Sequence, residues 1–598
     1  MNSAPSQIIA HSSEADILLS DDKVIDESIA LQKSQIETDE QALWQTIPTP
    51  DAIQDYQDDY IRLEQLYQQK TTDDRYNFKI VIPVADRPQH LKQCLDSLLT
   101  LCKVYGYGGT ENNIYKKISV LIADDSEQQK NISLNKQYCD DLSHAGITTE
   151  YFGLQQQHAL VREITDSNSG LENILPYAND IGDFSDYAHK GASNMRNICY
   201  LKLNREIDAN TLIYFIDSDQ EFCITADHST DNIFAINYFH YLNENFKNRD
   251  ISILTGKVVG DPPVSPAVMA GNFQQDVKNF ITTVSALEPD EDCQFHREEK
   301  HHIDDAAYHD MASLFGFEQK ESSFNYHCTL DNKHRNADCF ADFADKLGHF
   351  FYGEHPTRKT FFSYEDGFTA LKPARTVYTG NYVIRAEALT CFIPFAPLKL
   401  RMAGPTLGRL LQKDLGDKFV SANLPMLHNR TVEATGQAEF RAGVDNSQPN
   451  IDLGDEFVRQ FFGDVMLFAI AELTTFEYPA TLIDKQTVAD VLATTYQKIK
   501  TSYIDKHDTI LELKADLQRH INDTAHWWNI SSTPDKNIAD AISDFDVFLE
   551  NIQFNFSDDT EAYLQITDTK KAEKTLADIL HAILQYQQDL LLWKKALE

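Results

Sequence analysis

"YNFKIVIPVADRP" (residues 76–88) runs through an almost unbroken apolar stretch into a proline-bearing loop. Such a run, without polar alternation, reads as a strand buried on both faces. The next segment, "QHLKQCLDSLLTLC" (89–102), carries apolar residues at 91, 94, 95, 98, 99 and 102, the spacing of a helix. Two further apolar runs follow, "KISVLIADDSE" (117–127) and "LIYFIDSDQEF" (212–222), and each ends on acids. Apolar strands separated by helices predict an α/β fold: a mostly parallel sheet flanked by helices.

At 598 residues the chain exceeds one compact core, so two or three domains are expected. Residues 1–40 are polar and acidic and read as disordered. Residues 41–75 read as a helical lead-in, 76–435 as the α/β domain, and about 286–370 as an inserted subdomain. From 450 to 598, segments such as "FVRQFFGDVMLFAIAEL" and "TLADILHAILQYQQDLLLWKKALE" predict a helical region, packed on the sheet or forming a homo-oligomer.

Lys plus Arg number 53 against 92 Asp plus Glu, a formal charge of −39. That surface repels phosphate backbones, so no nucleic-acid partner is expected. The nine cysteines form no CxxC pair, which reads as reduced thiols rather than a disulfide framework or zinc ribbon. The N-terminal residues lack a signal-peptide pattern, and no run is long enough for an integral membrane segment. A cytoplasmic protein is the expectation. His296, His301, His302 and His309 are read as an exposed, charged helix rather than a metal site.

Ligands of an open parallel sheet gather at the carboxyl ends of its strands. Three such ends carry polar groups: Pro83 to Arg87, Asp124–Asp125 and Asp217–Ser218–Asp219. An acidic pair after a strand is most often a turn. An Asp-x-Asp there also meets what Mg²⁺ or Mn²⁺ requires, one or two carboxylates completed by substrate phosphate oxygens.

These pieces, in this order, resemble family-2-type nucleotide-sugar glycosyltransferases with the GT-A fold. "FKIVIPVADRPQHLKQCLDSLL" resembles the family's opening strand, loop and helix, and "VLIADDSE" its second strand. "KGASNMRN" (190–197) resembles its diphosphate segment, and "YFIDSDQEF" its Asp-x-Asp strand. The resemblance covers residues 76–272 as a nucleotide-sugar half, with 371–435 as an acceptor half. It implies that Pro83, Ala85, Asp86 and Arg87 line the nucleotide and that Asp125 or Asp124 takes the base. Lys190, Asn194 and Arg196 would lie near the diphosphate, with Asp217, Ser218 and Asp219 at ribose and metal. "VYTGNYVIRAEAL" (377–389) resembles the acceptor-side segment, with Gly380 and Asn381 in place and Thr379 replacing a glycine. His428 in "NLPMLHNRT" would be the third metal ligand beside Asp217 and Asp219; its alternative is a core histidine bonded to a carbonyl.

One departure stands out. Inverting members carry an acidic pair ahead of an Arg-Leu pair, one acid serving as general base. Here "RMAGPTLGRLL" (401–411) keeps Arg409 but has Ala403–Gly404 where the acids belong. Glu365 and Asp366 are the substitute candidates, unless the reaction is retaining. The expected function is transfer of a sugar from a nucleotide-diphospho-sugar to a hydroxyl acceptor (carbohydrate, lipid or small molecule). The alternatives are a nucleotidyltransferase, or a non-catalytic binder that keeps the fold. No Walker loop, GxSxG, HExxH or GxGxxG is present.

Overall fold

The computed structural model describes residues 14–176, 184–225, 232–261, 265–296, 326–330, 333–377, 380–430, 432–436, 438–530 and 536–598. Two helices, α1 (Glu14–Leu43) and α2 (Pro50–Tyr67), precede strand β1 (Asn77–Val84) and helix α3 (Pro88–Tyr105). A hairpin of β2 (Thr110–Glu111) and β3 (Ile114–Tyr115) leads to β4 (Ile118–Asp124), α4 (Gln129–His144), β5 (Thr148–Phe152) and α5 (Leu154–Ser167). Then come α6 (Ala192–Asn204), β6 (Thr211–Phe215), β7 (Gln220–Glu221), α7 (Tyr238–Asn248), β8 (Ile253–Gly260) and α8 (Pro266–Ser285). Helix α9 (Asn336–Lys346), β9 (Leu371–Pro373), β10 (Tyr382–Arg385), α10 (Ala403–Leu415) and β11 (Phe419–His428) complete the α/β part.

The result is a nine-stranded, largely parallel sheet in the order β5-β4-β1-β6-β10-β8-β11-β7, with β9 on β11. Neighbours β5, β4, β1 and β6 pair in parallel, β10 runs antiparallel to both β6 and β8, and β11 is parallel to β8. The carboxyl ends of β1, β4, β6, β8 and β11 therefore share one edge. There lie Asp125, Asp217, Asp219, Asp261 and His428.

The unbroken apolar runs have a physical reason. Alternate residues of one strand feed two separate cores. Val81, Ile213 and Phe215 face one, while Ile80, Ile82, Leu212 and Tyr214 face the other. The second core is closed by α1, α2, α3 and α7. The first is closed by α6, α8 and the C-terminal helices.

Residues 14–40, expected to be disordered, belong to α1 instead; residues 1–13 lie outside the described residues. Ile29, Ile36 and Leu43, seven residues apart, are buried in the same core as α2's Tyr60 and Leu63. A narrow apolar seam on an otherwise acidic helix barely moves the composition, so composition misled.

The C-terminal region is helical, with α11 (Gly454–Thr474), α12 (Lys485–Ile521), α13 (Lys536–Phe556), α14 (Glu561–Thr567) and α15 (Thr569–Leu597). Phe461, Val465 and Ile470 of α11, and Ile579, Ile583 and Trp593 of α15, enter the sheet's own first core. Trp593 Nε1 donates to Leu389 O at 2.8 Å, and Asn204 Nδ2 donates to Leu597 O at 2.7 Å. These apolar faces are used within the chain, so they give the expected homo-oligomer no support. Among the described residues no helix is long and apolar enough to cross a membrane.

Candidate functional site

A cleft of about 340 Å³ opens at the shared strand edge. Pro83, Ala85 and Arg87 after β1, Asp125 after β4, and Asp217, Ser218 and Asp219 after β6 line it, with Lys190, Gly380 and His428. Parallel strands bring these sequence-distant ends together.

Asp219 is buried, 5% exposed. Arg87 Nη1 donates to its Oδ2 at 2.9 Å, His428 Nε2 stands 3.5 Å away and Arg430 Nε 4.0 Å away. Burial alone would push the Asp219 carboxyl up, but the neighbouring His428 ring and the Arg87 and Arg430 guanidiniums hold it well below the ordinary carboxylate range. His428 Nδ1 lies 2.6 Å from Asp261 O, an atom that can only accept, so Nδ1 carries the proton and the ring is fixed with Nε2 toward Asp219. Burial pulls the Arg430 guanidinium down to about 9, helped by Arg441 and opposed by Asp219.

Asp217 is the open carboxylate, with its side chain 27% exposed. Arg196, buried beneath it, pairs with its Oδ1 and also donates to Ala192 O at 3.0 Å. Arg196 thus supports Asp217 from below instead of standing on the cleft wall. Lys190 pairs with Asp125, donates to Tyr187 O at 2.8 Å and sits 4.3 Å over the Tyr187 ring. Burial pulls the Lys190 ammonium down and pushes the Asp125 carboxyl up, each opposed by the other's charge.

Several expected site residues serve the scaffold. Asp124 is fully buried and accepts from Ser126 N (2.9 Å), Asn135 Nδ2 (3.0 Å) and Tyr151 OH (2.7 Å), so Asp125 is the one facing the cleft. Asp86, at φ +50°, turns its carboxylate to Glu127 N (2.9 Å), Gln128 N (3.1 Å), Asn131 Nδ2 (3.0 Å) and His189 Nε2 (2.7 Å). Burial opposes its ionisation, yet those donors, His189 foremost, lower its pKa. Asn194 donates to Lys190 O and Ala396 O at 2.7 and 3.1 Å. Asn381, at φ +57°, donates to Lys257 O and Leu424 O at 2.6 and 2.8 Å, bolting β8 to β11. None of these four lines the cleft.

Glu365, Asp366 and Arg409 are also elsewhere. They line a separate cavity of about 220 Å³ with Lys372 and Arg375, which removes them from the acid–base and acceptor positions first assigned to them. Thr379 lies outside the described residues. Gly380 packs so tightly that a Cβ there would meet Gln220 Oε1 at 2.1 Å and Asp217 N at 2.7 Å.

Gly404 explains the missing acid. It opens α10 on the cleft wall, and a Cβ there would lie 2.0 Å from Val377 O. The main chain occupies the place of a side chain. Gly404→Ala is expected to cost about 1–3 kcal/mol, because backbone cannot swing aside as a side-chain tip can. A urea midpoint equal to wild type would rule this out.

Sequence reasoning named Arg87 and Lys190 but missed the other cations. Arg87, Lys190, Lys399, Arg401, Arg430, Arg441 and Arg459 line the cleft against Asp125, Asp217 and Asp219, seven positive side chains to three negative. Arg401 Nη1 and Arg441 Nη2 both bond Glu456 Oε1, at 2.8 and 3.0 Å, so α11 completes the wall. The loop before α11 crosses the rim: Phe440 O accepts from Arg87 Nε at 2.6 Å, and its ring stacks on His189 at 4.0 Å. Arg430 lies two positions from His428 in a segment already singled out, but no spacing pointed to Arg441 or Arg459.

No protein-family model matches the chain, and no curated protein does. Among solved structures, S. aureus TarS 1-349 shows 10% identity over 86% of this chain and 91% of that one, with a TM-score of 0.25. S. aureus TarS shows 11% identity over 82% and 55%, also with a TM-score of 0.25. At that TM-score the likeness carries no weight for fold or activity.

Proposed function

We propose that this protein is a metal-dependent glycosyltransferase that binds a nucleotide-diphospho-sugar in the strand-end cleft and passes the sugar to a hydroxyl acceptor. One observation carries the reading: a chain of formal charge −39 gathers seven Lys and Arg side chains around an Asp-x-Asp at the carboxyl ends of parallel strands. Positive charge gathered in one cleft of a net negative molecule favours an anion there, and a departing diphosphate is such an anion. The volume, about 340 Å³, falls in the range of small-molecule sites. The ordered motifs from Pro83 to His428 make the GT-A type of this fold class the reading we adopt.

Asp219, Asp217 and His428 suit Mn²⁺ or Mg²⁺ as a donor set: two carboxylates and an imidazole whose second nitrogen is anchored on Asp261 O. Such an ion, when bound, would supply charge stabilisation to the diphosphate leaving group. The chain's own groups have separable tasks. Lys190, Arg430 and Arg441 bind the anionic donor, and the Asp125–Lys190 pair fixes one wall. Arg196 orients Asp217. Among the described cleft residues, Asp217 is the carboxylate with most access to solvent, and with Arg196 on its Oδ1 we assign it to the ion and not to taking the acceptor's proton.

The test is calorimetric titration with a panel of nucleotide-diphospho-sugars, with and without Mn²⁺, at two ionic strengths. One donor is expected to bind with Mn²⁺, and its affinity should fall as salt rises. Absence of binding across the panel, or an affinity indifferent to both salt and Mn²⁺, would overturn the assignment.

A further inference from the structure

We propose that Cys293, His296, Cys328 and His334 form a structural Zn²⁺ site, remote from the cleft. The four ligand atoms lie within 4.8 Å of one another. Tetrahedral zinc with bonds of about 2.3 Å to sulfur and 2.0–2.1 Å to nitrogen has edges of roughly 3.8 Å between sulfurs, 3.5 Å between sulfur and nitrogen and 3.3 Å between nitrogens. The Nε2 atoms of His296 and His334 are 3.3 Å apart, and Cys328 Sγ is 3.2 Å from His334 Nε2. Two edges of the polyhedron are already close to those lengths without a metal. Two thiolates and two imidazoles form the tetrahedral S₂N₂ set that suits zinc, and four protein ligands leave no open position for catalysis.

The backbone around the quartet is built to hold it. Cys293 N donates to His334 O at 2.9 Å, Cys328 N to Phe295 O at 3.0 Å, and Asp292 bridges Arg335. Two segments far apart in sequence are thus zipped side by side, each supplying one cysteine and one histidine. Phe295 N also donates to Cys293 Sγ at 3.4 Å, which holds the sulfur in place. Beneath lies an aromatic floor: Phe295 packs 4.8 Å from Phe280 of α8, and Tyr326 packs 4.6 Å from Phe343 of α9. Helix α9 in turn stacks Phe340 on Trp528 at 5.0 Å. The clip therefore ties the inserted region to the sheet side and to the C-terminal helices.

His296 was expected on an exposed charged helix, and zinc was set aside for want of CxxC spacing. Instead His296 sits in a turn three residues after Cys293, and its partners come from a second segment. His301, His302 and His309 lie outside the described residues. The rival chemistry is a Cys293–Cys328 disulfide, although both cysteines are free thiols here.

The test uses the purified full chain. Elemental analysis should return one zinc per chain, and Co²⁺ exchanged for it should show the ligand-field and thiolate charge-transfer bands of a tetrahedral S₂N₂ site. His296→Ala removes an exposed ligand and should weaken Co²⁺ binding at least about tenfold. Cys328→Ser should weaken the thiolate bands, because one of the two sulfurs is lost. Cys139→Ser, a thiol of α4 outside the quartet, should leave the spectrum intact. Chelation should lower Tm, because zinc binding contributes folding free energy. Substoichiometric zinc, a Co²⁺ spectrum indifferent to His296→Ala, or a Cys293–Cys328 disulfide found by mass spectrometry under native, non-reducing conditions would overturn the site. None of these readouts depends on the cleft's activity.

Discussion

Asp219→Ala is expected to abolish Mn²⁺-dependent donor binding and to lower stability by roughly 3–5 kcal/mol, the range seen when one partner of a buried ionic cluster is removed. The carboxylate is enclosed, and it faces Arg87 at 2.9 Å, His428 at 3.5 Å and Arg430 at 4.0 Å. Without it, two guanidiniums and an imidazole confront one another with no counter-charge between them. Asp219→Asn keeps the shape and removes only the charge, so it separates electrostatics from packing. The sign of the pH effect follows from the depressed pKa. The contribution of Asp219 is fully present above the unfolded value of about 3.9 and is lost as pH falls through the lower folded value. Urea unfolding of wild type and Asp219→Asn should therefore differ at pH 7 and converge in strong acid. Equal midpoints at pH 7 would refute the electrostatic role, and unchanged calorimetric binding would refute the site.

Glu456→Gln is the second large effect. Glu456 is fully buried and takes Arg401 at 2.8 Å and Arg441 at 3.0 Å on one oxygen. Burial would raise its pKa, but the two guanidiniums bring it down to about 2. The difference from 4.5 corresponds to a contribution on the order of 3 kcal/mol, present above about pH 4.5 and lost as pH falls through about 2. The glutamine cannot neutralise either arginine, so both are expected to move. Because both line the cleft, donor affinity should fall alongside stability. A variant with wild-type stability at pH 7 would show that Arg401 and Arg441 find other counter-charges, and the coupling between helix and cleft would be lost.

The sheet was legible because its signals are local. An apolar run such as "FKIVIPV" or "LIYFI" has to be covered on both faces wherever it sits, and a Pro-bearing or acidic loop ends it. Asp125, Asp217 and Asp219 could be placed at strand ends for the same reason. Asp124 and Asp125 could not be told apart, since which neighbour faces inward depends on the turn and on Asn135 and Tyr151 waiting in the core. Asp86 and Asn381 matched motif positions yet were taken by backbone donors and carbonyls. Glu365 and Asp366 were chosen for their chemistry alone, and chemistry says nothing about which cavity a loop lines.

By itself, then, the sequence determined the α/β layering, the strand ends that bear acids and the helical nature of the C-terminal region. These follow from periodicity and burial, which act over a few residues. Only the tertiary structure decided the sign of the cleft, which depends on Arg430, Arg441 and Arg459 converging from β11, a loop and α11. It alone brought Cys293 and His296 to Cys328 and His334. It also turned Gly404 from a missing base into a close approach of main chain to Val377 O. Charge and coordination depend on distance in space, and spacing along the chain carries little information about that distance once the chain has crossed the molecule.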